Sequence, residues 1–173
     1  MRMRLVVAVA ALALVVGGCG GSGRPDAEAW AGTVCEALAP WMNQIDDLTG
    51  AANQAMTPDS SPTDAKAELL GLLSGAAEAS QTALDSVIAA GVPDVADGQE
   101  VADRFAGSLA GTRDAYQAAH DDLTALDPED PEFYGEVARV MTELVDAYGA
   151  VPQVAELNSV ELSEAFASVP ECQ

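Results

Sequence analysis

The stretch SPTDAKAELLGLLSGAAEASQTALDSVIAAGVP, residues 61–93, decides the fold. Ser61 is a residue type whose hydroxyl caps helix N-termini, Pro62 suits the first helical position, and Asp64 stands where a cap partner is expected. Leu69, Leu72, Leu73, Ala76, Ala83, Val87 and Ala90 then recur at steps that place them on one face of an α-helix, until Gly91 and Pro93 stop it. The spacing predicts a helix from Pro62 to Gly91. One apolar face on so long a helix has to be covered by other elements.

The same signature repeats on both sides. Upstream, Trp30, Val34, Leu38, Trp41, Ile45 and Leu48 recur from about Pro25 onward, with Pro25 suited to the first helical position and Asp26 and Glu28 near the positive end of the dipole. Pro40 falls inside this pattern and is expected to kink or split the helix. Downstream, Asp97 with Glu100 has the spacing of a capping box, and Val101, Phe105, Leu109, Thr112, Tyr116, Ala119, Leu123 and Leu126 form the next stripe. Asp130 and Pro131 open a fourth helix carrying Phe133, Val137, Val140, Leu144 and Tyr148, which Pro152 stops or bends. A shorter helix after Asn158, with Glu161 as box partner, holds Leu162, Phe166 and Val169. No stretch alternates in the manner of a strand. The expected fold is all-α: an up-down-up-down four-helix bundle with a short fifth C-terminal helix, preceded by a signal helix.

Charge and composition exclude several function classes. The chain has 173 residues, 28 Asp plus Glu, seven Lys plus Arg and a formal net charge of −21, with 49% hydrophobic residues. That hydrophobic share supports a packed core and excludes a disordered acidic tail. Seven basic side chains cannot assemble the positive face that phosphate contacts require, so neither nucleic acid nor anionic headgroups are expected partners.

The N-terminus reads as an export signal. Arg2 and Arg4 precede the apolar run Leu5–Val16, which is too short for the roughly 20 residues of a spanning helix. Val16-Gly17-Gly18-Cys19 resembles the lipobox of bacterial lipoproteins, with valine in place of the commoner leucine. The resemblance implies cleavage before Cys19 and attachment of diacylglycerol to its sulfur. The other reading is an ordinary signal peptide that leaves Cys19 as a free or paired thiol. The expected organisation is a signal at 1–18, a lipidated flexible tether at 19–25 and a helical domain at 26–173. Removing 18 residues and two arginines from 173 residues at −21 leaves 155 residues at −23.

With Cys19 lipidated, Cys35 and Cys172 remain, and an exported chain with two cysteines is expected to join them, closing a 137-residue loop. Two inert thiols or an intermolecular bridge are the alternatives. No Cys-x-x-Cys motif signals redox exchange or haem attachment.

The remaining chemistry is sparse. His120 is the one histidine. Gln117 stands where a di-iron bundle would place glutamate, and no Gly-x-Ser-x-Gly elbow accompanies the histidine, so it reads as a solvent-facing residue near a helix C-terminus. Asp121, Asp122, Asp127, Glu129, Asp130 and Glu132 offer oxygen ligands for Ca²⁺ or Mg²⁺, yet no EF-hand order is present: Asp94-Val95-Ala96-Asp97-Gly98 places Pro93 and Val95 where the first and third ligands belong. These acids read as a solvated surface, with no catalytic residue, metal ligand or cofactor assigned.

Across the mature chain, Cys35-Glu36-Ala37-Leu38-Ala39-Pro40-Trp41, the turn Gly91-Val92-Pro93-Asp94 with Asp97-Gly98, and the terminal Pro170-Glu171-Cys172 are similar in style to small Ala-rich lipoproteins of high-GC Gram-positive bacteria. The resemblance implies a lipoprotein and little more; with no catalytic motif present, the expectation is a non-enzymatic, lipid-anchored helical bundle on the outer face of the cytoplasmic membrane. Its expected contacts are the membrane, through lipid on Cys19, and an envelope protein or apolar ligand. The rival readings are a carrier enclosing an apolar ligand among Leu69, Leu73, Phe105 and Leu144, an envelope enzyme, or a divalent-cation binder.

Overall fold

A computed structural model of the chain describes residues 23–150 and 159–173. The signal segment and Cys19 lie outside the described residues, as do most of the tether and Pro152. Helix α1 covers Ala27–Ala55, α2 Pro62–Ala89, α3 Gly98–Ala125, α4 Phe133–Ala150 and α5 Val160–Ser168, followed by a 3-10 turn at Pro170–Cys172. The fold is all-helical, and α1 to α4 pack as consecutive neighbours while α5 returns to α1. No helix of the described residues is long and apolar enough to cross a membrane.

The boundaries follow from local chemistry. Ser61 Oγ accepts from the Asp64 amide at 3.2 Å and donates to Asp64 Oδ2 at 2.7 Å, so α2 begins at Pro62. Gly91 takes φ of 74°, the left-handed conformation that ends α2 at small cost for glycine. In α1 the cap is Asp26, whose Oδ1 accepts from the Ala29 amide at 2.8 Å, so the helix starts at Ala27 and not at Pro25. Pro25 instead accepts the Asp94 amide on its carbonyl at 2.8 Å, which fixes the α2–α3 connection against the start of α1. Pro40 does not split α1. It lies on the exposed side of the helix with Glu36, the residue whose carbonyl a proline at this position cannot serve.

Three other starts depart from the expectation. Asp97 makes no side-chain cap bond and holds φ of 57°. The cause is next door: a Cβ on Gly98 would stand 2.2 Å from the Pro93 carbonyl oxygen, so the turn is drawn tight by packing and Asp97 absorbs the left-handed step. Asp130 does not cap a helix at Pro131. Its Oδ1 accepts from the Glu132 amide at 2.8 Å and its carbonyl from the Phe133 amide at 3.0 Å, a side-chain turn that delays α4 to Phe133. The cap of α5 is Ser159, accepting from the Leu162 amide at 3.3 Å, so Glu161 is not a box partner.

The core also departs from the simple bundle. Among the described residues it divides into two apolar clusters. One gathers Trp30, Val34, Leu84, Val87, Phe105, Leu109 and Leu162 from α1, α2, α3 and α5; the other gathers Leu73, Ala115, Leu123, Val140 and Leu144 from α2, α3 and α4. Among the described residues, α5 rather than α4 joins α1, α2 and α3 in the first cluster.

Candidate functional site

The seam between α1 and α5 brings together the features that sequence reading singled out. Trp30 is fully buried and makes edge contacts with Phe105 and Phe166, centroids 5.2 and 6.1 Å away, while Phe105 and Phe166 stack at 5.8 Å. The indole Nε1 of Trp30 donates to the Gly91 carbonyl at 2.9 Å, so one side chain ties α1 to the end of α2 while filling the core. Beside this triangle, Cys35 and Cys172 stand at disulfide distance, 2.09 Å between sulfurs and 5.2 Å between Cα atoms. Both are half-buried.

The end of the domain where the tether enters is acidic. A cleft of about 310 Å³ opens between α3 and α5, lined by Asp97, Glu100, Val101, Arg104, Val160 and Glu161. Arg104 pairs with Glu100, one turn away on α3. A neighbouring cleft is bordered by Asp26, Glu28, Glu161 and Glu164. The start of α1, the α2–α3 turn and the start of α5 thus share one end, coated with carboxylates. Anionic headgroups would repel it.

The other candidates are dispersed. His120 lies half-buried on α3 in a groove of about 380 Å³ with Ser74, Glu78, Gln81, Arg113 and Gln117, and its Nδ1 is 3.3 Å from Asp121 Oδ1. Arg113 is occupied by Gln81 at 2.7 Å and by Asp114. In the acidic loop, Asp127 and Asp130 spend an oxygen each on the amides of Glu129 and Glu132, at 2.9 and 2.8 Å. Among the described residues no group of three or more His, Cys, Asp or Glu side chains is placed to hold a metal ion. Leu69, Leu73, Phe105 and Leu144 do not converge: Phe105 belongs to the first cluster and the three leucines to the second.

Some structural roles went unread in the sequence. Buried Ser80 accepts from Trp41 Nε1 at 3.0 Å and donates to the Ala76 carbonyl at 2.8 Å, locking α1 to α2. Lys66 caps α3 across the bundle, donating to the carbonyls of Thr124 at 2.9 Å and Leu126 at 2.6 Å. A tryptophan on a helix stripe signals a buried N–H in need of an acceptor, which points to Ser80 only once the helix pairing is known. Burial and the neighbouring Tyr148 phenol push the Tyr116 hydroxyl above its ordinary pKa, with ring centroids 6.4 Å apart.

No known protein family matches the chain, and no curated protein or solved structure is similar to it.

Proposed function

We propose that this is a lipid-anchored, non-enzymatic helical-bundle protein of the outer face of a bacterial cytoplasmic membrane, which binds a partner in the envelope. The observation that carries the reading is the Cys35–Cys172 pair at disulfide distance, 137 residues apart in sequence, which fits an oxidising extracytoplasmic compartment. The lipobox-like Val16-Gly17-Gly18-Cys19 supports it from the sequence side. Two acyl chains on Cys19 would suffice for stable anchoring, at about 0.8 kcal/mol per buried methylene. The acidic coat around Asp26, Glu28 and Glu161 then leaves the acyl chains as the membrane contact and holds the bundle off the headgroups. The opposite end, with the turns 56–61 and 126–132, would face away from the bilayer toward partners.

The test is expression of the full chain and of Cys19→Ala in a Gram-positive host fed an alkyne-labelled fatty acid. The expected result is label on the membrane-bound wild-type protein and none on the variant. Unlabelled wild-type protein shed into the medium would refute the anchoring.

A further inference from the structure

The C-terminal segment Ser159–Gln173 is attached to the rest of the domain in an unusual way. Leu162, Ala165, Phe166 and Val169 face the first core cluster, and Phe166 packs against both Trp30 and Phe105. Its polar groups turn inward on the segment: Ser159 serves the Leu162 amide, Ser168 the Ala165 carbonyl and Gln173 the Ala167 carbonyl. A nine-residue helix is too short to persist in water without packing. Among the described residues, what fastens the segment is chiefly its apolar face and, at its far end, the Cys35–Cys172 bridge. Both cysteines are half-buried and so are not sealed in the core as Trp30 is.

We infer that Ser159–Gln173 is a redox-released strap: the Cys35–Cys172 bridge holds α5 over an aromatic face formed by Trp30 and Phe105, and reduction by a dithiol frees the strap and uncovers that face. One thiolate of the dithiol attacks a bridge sulfur and forms a mixed disulfide; its second thiolate then displaces the other cysteine. Cys35 and Cys172 gain two electrons and the two protons that the dithiol releases, and the dithiol leaves as its own disulfide. The helices α2 and α3 carry no part of the bridge and remain packed on each other. The device operates whether or not Cys19 carries lipid.

Hydrogen exchange by mass spectrometry on the intact chain, with and without dithiothreitol, tests it. Once the mass shows the two-hydrogen gain of reduction, amides of 160–168 are expected to exchange at least about tenfold faster while 62–89 and 98–125 keep their protection. Cys172→Ser should reproduce the pattern without reductant. Three results would overturn the inference: unchanged protection at 160–168 after reduction, loss of protection throughout α2 and α3 together with the strap, or an isolated protein whose mass shows no bridge to reduce.

Discussion

Replacing Trp30 tests whether the first core cluster rests on a single side chain. Trp30 is fully buried, touches two aromatic rings at 5.2 and 6.1 Å, and donates its indole proton to Gly91 at 2.9 Å. Trp30→Ala leaves a void flanked by Phe105, Phe166 and Val34, and large-to-small changes of this kind cost about 3–5 kcal/mol. The two edge contacts, each worth about 0.5–1.5 kcal/mol beyond area, place the expected loss at the upper end, about 4–5 kcal/mol. The orphaned Gly91 carbonyl adds little, because Gly91 is exposed and water can take the donor's place. For a domain of this size the loss corresponds to a fall in Tm of about 10–20 °C. Trp30→Phe keeps a ring but loses the donor and part of the volume, for about 1–2 kcal/mol. Urea unfolding followed by far-ultraviolet circular dichroism measures both, with an unchanged slope confirming that stability alone has moved. A loss below about 1.5 kcal/mol for Trp30→Ala would refute the reasoning, since the smallest cavity cost in this class already exceeds it.

Further outcomes follow from single contacts. Gly98→Ala forces a methyl against the Pro93 carbonyl, and the resulting shift of the α2–α3 turn should cost about 1–3 kcal/mol in thermal unfolding; an unchanged Tm would show that the turn yields freely. Asp97→Gly relieves a left-handed aspartate that makes no side-chain cap bond and should raise stability by about 0.5–1 kcal/mol, measurable as a small rise in urea midpoint. Lys66→Met withdraws the donor that serves two carbonyls at the end of α3 and should lose about 1–3 kcal/mol, with hydrogen exchange rising first near Leu126. The Tyr116 hydroxyl binds its proton more tightly in the folded state, so its contribution to stability is whole below the ordinary value of 10.0 and is lost as pH rises through the higher folded value. Tyr116→Phe should flatten the stability profile between the ordinary value and the higher folded one, and an identical alkaline slope in both proteins would remove Tyr116 as the cause.

The elements legible in the sequence are those governed by neighbours in the chain. Ser61 with Asp64 marked the start of α2, Gly91 its end, and the stripe from Val101 to Leu126 the inward side of α3, because caps and helical periodicity act over a few residues. The misread positions are ruled by distant contacts. Asp97 looked like a cap, but the closeness of Gly98 to Pro93 sets its backbone, and no spacing rule encodes that approach. The division of the core was equally hidden: apolar stripes say that a helix buries a face, not that α5 would meet Trp30 while α4 serves Leu123. At the site, Cys35 and Cys172 could be paired by counting, whereas the aromatic triangle beside them required Phe166 to arrive from the far end of the sequence.

The 5.2 Å between the Cα atoms of Cys35 and Cys172 also sets how the domain can be rewired. Asp26 lies nine helical residues before Cys35, about 13–14 Å along the axis, and Gln173 directly follows Cys172. A linker of a few residues from Gln173 back to Arg24 can therefore close the described domain into a ring, with new ends opened in the exposed turn at Thr57–Ser60. Such a circular permutant would carry its N-terminal attachment at the opposite pole of the bundle and turn the acidic end outward.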